Sequence, residues 1–252
     1  GDARDAGEPA NEADRLRQLL HELRTPINAI QGFAEVIQQQ VFGATPHQYR
    51  AMAASIAADA AHMLAGFEEV ERLVRLESQS LEIDRTKADV SAIVAQLVEQ
   101  VSPTLAARNV RLTLSVPSTA LSVAFAADEL ERSVWRVFSV IAASVAPGER
   151  LAIELAAMSD GARITIALPA SLHRLDDEAL FAPDAAGSGG ALSASAMLGN
   201  GFALRLARAE FASGGGSLVR DGSRLLIALP GADADTATAA LPQSASNAGE
   251  RR

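Results

Sequence analysis

Apolar and polar positions divide the chain into two parts with different periods. From Glu12 onward, Leu16, Leu20, Leu23, Ile27, Ile30, Ala34, Ile37 and Val41 recur at spacings of three and four. That is the period of one face of an α-helix, and such a stripe is buried against other helices. It runs for about eight turns, far longer than an average helix. Phe42-Gly43-Ala44-Thr45-Pro46 breaks the pattern, and Thr45 before Pro46 predicts an N-cap followed by a first-turn proline. A second stripe follows in Tyr49, Met52, Ile56, Met63, Phe67, Val70 and Val74. Two long amphipathic helices with a short connection predict an antiparallel hairpin. One hairpin cannot cover both stripes, whereas two copies packed as a four-helix bundle can. A homodimer through residues 12–80 is therefore expected.

Beyond Ser80 the period changes. Residues 88–107 read as a helix, with Pro103 marking a kink or a late first turn. Asn109 to Val116 alternates as a strand does, Leu121 to Phe125 reads as another, and Asp128 is expected to cap a helix over 129–145. Leu151 to Ala156 and Arg163 to Leu168 predict a hairpin turning at Ser159-Asp160-Gly161. A short helix is expected to end near Phe181, and the Gly/Ala/Ser-rich stretch 183–199 reads as a mobile loop. A helix over Gly201 to Phe211 ends at Gly214-Gly215-Gly216. Ser217 to Val219 and Arg224 to Leu229 form a last hairpin about Asp221-Gly222. The expected fold class is α+β: a helical hairpin over 12–80, then an α/β sandwich over 85–230. Residues 1–11 read as a linker and 231–252, which lack any period, as a disordered tail.

Composition narrows the picture. Nearly half the chain is apolar, 48%, but only 4% is aromatic, which predicts small-residue, helix-rich packing. A formal net charge of -9 argues against a nucleic-acid partner. The absence of cysteine excludes disulfides, thiolate metal sites and cysteine nucleophiles. No apolar run approaches the ~18–20 residues of a membrane span, and no secretory leader is recognisable. The chain opens with Gly rather than Met, so an upstream sensor or anchor would lie outside it. This segment is expected in the cytoplasm.

Chemistry concentrates in His21-Glu22-Leu23-Arg24-Thr25-Pro26-Ile27-Asn28-Ala29-Ile30. This string resembles, almost residue for residue, the phosphoacceptor box of two-component sensor histidine kinases. GFAEVI after it and the FGATPHQYR turn also resemble that family's dimerisation and histidine-phosphotransfer hairpin. The order of elements over 85–230 resembles the family's ATP-binding domain. His21 lies one position past Leu20, about 100° round the helix from the apolar stripe, so its imidazole should face water. A neutral imidazole nitrogen is a competent nucleophile near neutral pH. Glu22 can orient or deprotonate the other ring nitrogen, and Thr25 shares the face of His21. The resemblance implies a role for Glu22 and Thr25 in dephosphorylating a partner regulator, with Thr25 positioning a water. Pro26 loosens the bond to residue 22 and bends the helix; by resemblance the bend lets a signal move the histidine. Arg24 is either a surface charge or a group that steers a phosphate. His47, His62 and His173 stand in no such context and carry no role.

The same resemblance implies four parts of a nucleotide site, and the sequence departs from most of them. The helix over 129–145 should carry a magnesium-holding asparagine, but the matching position is Val140 or Ile141, and no Asn lies between Arg111 and Gly199. The Asp-x-Gly-x-Gly turn that reads adenine corresponds to Leu168-Pro169-Ala170-Ser171-Leu172. Leu180-Phe181-Ala182-Pro183 keeps only part of an Ile-Phe-x-x-Phe box. Gly199-Asn200-Gly201-Phe202-Ala203 retains two glycines of a phosphate cradle, making Gly199 and Gly201 the remaining cofactor-binding candidates. The expected activity is therefore phosphotransfer or phosphatase action at His21 on response-regulator receiver aspartates. The receiver would bring its own magnesium, and no metal or nucleotide would reside in the chain. The alternatives are a divergent active kinase, which would use ATP, and a non-catalytic scaffold.

Overall fold

The computed structural model describes residues 8–183 and 198–232. Most of the expected loop over 183–199, and of the expected tail over 231–252, lies outside the described residues.

Two helices of equal length, α1 (Glu8–Gln38) and α2 (His47–Glu77), form the hairpin. Helix α1 runs unbroken through Pro26, which has no N–H to offer the Glu22 carbonyl. It already includes Glu8 to Asn11, which the sequence suggested were linker. Pro9 belongs to the first turn, where a missing amide costs nothing. Thr45 does not cap α2. The N-cap is Pro46, without a side-chain bond, while Thr45 donates its N–H to Gln40 Oε1 at 3.2 Å and its hydroxyl to the Gly43 carbonyl at 3.4 Å. The threonine thus braces the connecting turn instead of the helix end.

Small residues bring the two helices together. Leu20, Ala34, Ala53, Ala60 and Gly66 are buried on the hairpin, while most of the large apolar stripe points outward. Leu23 is 50% exposed, Ile30 45%, Met52 59% and Ile56 45%. The stripes expected to be covered are therefore bare within a single protomer.

The second domain has five helices and seven strands among the described residues. Strands β1 (Lys87–Asp89) and β3 (Ser122–Ala124) form a small antiparallel pair. The main sheet contains β2 (Arg111–Ser115), β4 (Arg150–Met158), β5 (Gly161–Ala167), β6 (Ser217–Asp221) and β7 (Arg224–Pro230), in the order β2-β4-β5-β7-β6. Only β2 and β4 are parallel. Parallel neighbours need a crossover, and α4 (Ala127–Ser144) lies within it. Helix α3 (Val90–Ala107) is capped by Asp89, whose carboxylate accepts from Ser91 N at 2.9 Å and Ala92 N at 3.2 Å. Helix α4 starts at Ala126 without a side-chain cap, so the expected Asp128 cap is corrected. Asp128 falls in the first turn, where its charge favours the helix dipole. Two short helices, α5 (Ala170–His173) and α6 (Asp177–Leu180), precede α7 (Asn200–Ser213).

Alternation along β4 and β5 turns Ile153, Leu155, Ile164 and Ile166 inward, where they join Leu97, Leu130, Ile141, Leu204 and Phe211 in one apolar core. Helix α3 is also apolar enough, over 18 residues, to meet the length and composition of a membrane span. That departs from the sequence reading, which found no such run. Its Val90, Val94, Leu97, Val98, Val101 and Leu105 are buried in this core.

Candidate functional site

His21, Glu22 and Thr25 lie mid-way along α1, and all three are exposed. Their helical spacing puts His21 and Thr25 on one face. Gln18 Nε2 donates to Glu22 Oε1 at 3.0 Å, one turn back along the same helix. The bond occupies one carboxylate oxygen of Glu22. Gln18 was not singled out from sequence, although its i, i+4 spacing to Glu22 was readable there. Arg24 is half-buried and its Nη2 lies 3.3 Å from Glu71 Oε2 on α2. The contact ties α1 to α2, a role that neither reading of Arg24 included. Glu71 escaped the sequence reading because pairing 24 with 71 depends on the hairpin's register.

The positions matched to a nucleotide site are filled differently. Val140 and Ile141 are 4% and 1% exposed and belong to the apolar core, and neither carries an oxygen donor. Leu168 and Leu172 are buried, while the Ser171 hydroxyl donates to the Ser144 carbonyl at 2.7 Å. Phe181 is buried beneath Arg208, whose guanidinium carbon stands 3.3 Å from the ring centroid. Burial holds the Arg208 pKa below the ordinary arginine value despite the nearby Asp177 carboxylate. Gly199 has φ +87°, a backbone that side chains rarely adopt. A Cβ on Gly201 would lie 1.7 Å from the Ala182 carbonyl oxygen. The space beside Gly201 is thus taken by the chain itself.

A cleft of about 1220 Å³ opens between residues 76–85 and helices α6 and α7, lined among others by Glu77, Ile83, Arg85, Phe181, Arg205 and Arg208. Neither His21 nor Gly199 lines it.

The two domains meet along the last turns of α2. Leu73 and Leu76 enter the core of the second domain, and Arg205 of α7 donates to Glu77 through Nε at 2.8 Å and Nη2 at 3.0 Å. Beside them Glu210 of α7 is fully buried and accepts from Arg72 Nε at 2.7 Å, Ser133 Oγ at 3.0 Å and Arg136 Nε at 3.4 Å. Arg136 also donates to Glu69 at 2.6 Å, and Arg72 pairs with Glu129. Burial opposes the charge of Arg136, but Glu210 and Glu69 beside it outweigh burial and raise its pKa. None of this cluster was foreseen, since only the fold brings residues 69, 72, 129, 136 and 210 together.

Residues 12–79 match the model of the His Kinase A (phospho-acceptor) domain. Histidine protein kinase DivJ of Caulobacter vibrioides is 32% identical over 85 residues, or 34% of this chain and 14% of that protein. The Non-motile and phage-resistance protein of the same organism is 27% identical over 113 residues, 44% of this chain and 13% of its own length. The chain thus spans a small fraction of these relatives. Among solved structures, full-length ShkA in complex with AMPPNP is similar at a TM-score of 0.64 and 17% identity, over 86% of this chain and 46% of that one. Acinetobacter baumannii histidine kinase AdeS is similar at 0.54 and 20%, over 83% and 97%. At these identities the structural likeness is one of fold. Residues 12–79 are thus a phospho-acceptor hairpin of the His Kinase A type, and over most of its length the chain has the fold of these solved structures, AdeS histidine kinase among them.

Proposed function

We propose that His21 accepts a phosphoryl group from the aspartyl phosphate of one response-regulator receiver and passes it to another, or releases it, without autophosphorylation from ATP. The observation that carries this reading is the contrast between an exposed His21-Glu22-Thr25 face and a second domain whose matched positions are apolar or occupied. The residues present do not fit magnesium and nucleotide: Val140 and Ile141 offer no ligand, Leu168 to Leu172 include no carboxylate, and the Ala182 carbonyl fills the flank of Gly201. In the transfer a nitrogen of the His21 imidazole attacks phosphorus. The phosphorus–nitrogen bond forms as the bond to the aspartyl oxygen breaks, and the receiver carboxylate leaves. Glu22 accepts or holds the proton of the other ring nitrogen. The receiver would bring its own magnesium, whose charge would offset that of the phosphoryl group. For hydrolysis Thr25 positions the attacking water. The bare stripe on α1 and α2 supports a homodimer through residues 12–80 as a four-helix bundle, and this segment acts in the cytoplasm.

The test is incubation with radiolabelled phospho-receiver domains. Label should pass to the chain or be released as phosphate, and His21→Ala should abolish acceptance. Thr25→Ala should slow phosphate release while leaving acceptance intact. Label that persists on the His21→Ala chain would refute the assignment.

A further inference from the structure

The buried charges between the domains form a chain of alternating sign: Glu69, Arg136, Glu210, Arg72, Glu129. Helix α2 supplies Glu69 and Arg72, α4 supplies Arg136 and Glu129, and α7 supplies Glu210. Glu69–Arg136, Glu210–Arg72 and Arg72–Glu129 therefore cross from hairpin to second domain. A fully buried carboxylate is tolerated only when it is paired and its remaining lone pairs are satisfied. Arg72, Arg136 and Ser133 do this for Glu210, and they do it together only when α2 is seated. The geometric demands of guanidinium–carboxylate pairs allow one register of the interface.

The connection between the domains is held as well. Ser80 N–H donates to the Arg75 carbonyl at 2.8 Å, the Ser213 hydroxyl to the Leu81 carbonyl at 3.1 Å, and Ala126 N–H to the Asp84 carbonyl at 2.8 Å. Leu73, Leu76 and Ile83 are buried in the apolar core of the second domain. A domain that carries a group to a distant histidine needs a loose tether and a separable contact. This one has a tied tether, apolar anchors and a charge network with a single register.

We propose that the seam is a fixed joint. The circuit from Glu69 to Glu129 locks the second domain onto the last turns of α2 in one position, so that it does not travel to His21. The face of α1 that bears His21 stays open to a partner. The proposal concerns position alone, so its test is independent of any phosphoryl chemistry.

The chain has no cysteine, so two can be introduced without background. Ala58→Cys on α2 and Glu154→Cys on β4 are exposed sites, one in each domain. Spin labels on the full chain, diluted with unlabelled chain so that each dimer holds one labelled copy, report the distance between domains. The expected result is a single narrow distance distribution. Glu69→Gln combined with Arg72→Gln removes the hairpin's share of the circuit and leaves the Arg136–Glu210 pair intact. In that variant the distribution should broaden, and tryptic cleavage at exposed Arg85 should quicken about tenfold, because cleavage follows the population of the opened form. A broad or multimodal distribution in the parent chain overturns the fixed joint whether or not the variant folds. An unchanged distribution in a folded variant overturns the role of the circuit.

Discussion

Gly201→Ala separates a structural glycine from a phosphate-binding one. The added Cβ would meet the Ala182 carbonyl oxygen at 1.7 Å and its carbonyl carbon at 2.8 Å. Contacts below 3.0 Å are essentially never seen at a real Cβ, so the neighbour must retreat by more than an ångström. The obstacle is backbone, which cannot swing aside as a long side chain can. Gly201 is buried at the start of α7, flanked by Phe202 and Leu204 in the core. Overpacking of this kind costs about 1–3 kcal/mol, which corresponds to a fall in Tm of roughly 2–12 °C for a chain of this size. Thermal unfolding followed by circular dichroism, in the absence of nucleotide, reads it directly. A Gly201→Ala chain that melts with the parent would refute the close approach and return Gly201 to the role of an open cradle.

Other perturbations follow from the same coordinates. Ile30→Asp puts a charge at a position 45% exposed in the protomer and covered in the proposed bundle; sedimentation should show the dimer weakened or lost while helicity is kept. Phe211→Ala removes a fully buried ring packed 6.1 Å from Phe125 and should cost about 3–5 kcal/mol in denaturant unfolding. Arg24→Ala should change stability by no more than about 1 kcal/mol, because both side chains of its pair with Glu71 are about one third exposed. The Arg136 pKa is raised in the folded state, so its stabilising contribution is complete below the ordinary arginine value. That contribution is lost only as pH rises through the higher folded value, and titration near neutral pH should not weaken the joint through Arg136.

Local period made the hairpin and most of the second domain readable. Leu16 to Ile37 announced α1, although the stripe's last member, Val41, falls in the turn beyond Gln38, and alternation along 151–156 and 163–168 announced the pairing now seen between β4 and β5. The box at His21 was legible because its residues are contiguous. What escaped depended on where distant segments meet. The stripe on α1 was read as covered only in a dimer, and it is bare in one protomer; what its period did not tell is that Ala34, Ala53, Ala60 and Gly66 are the residues buried on the hairpin, small enough to let two helices approach closely. Thr45 was a good cap by type, but Pro46 took the N-cap and the hydroxyl turned to Gly43. Glu71 and Glu210 stand in no motif of the sequence. The register of the hairpin alone brings Glu71 to Arg24, and only the docking of α2 on α4 and α7 makes Glu210 the centre of a buried network.

The central claim is that the phosphate on His21 comes from a receiver aspartate and not from ATP. The most direct measurement runs two incubations of the full chain side by side, one with receiver domains charged by labelled acetyl phosphate and freed of excess donor, the other with γ-labelled ATP and magnesium. The account predicts acid-labile label on His21, or released phosphate, in the first incubation and no label in the second. ATP-dependent labelling that disappears in the His21→Ala chain would contradict it.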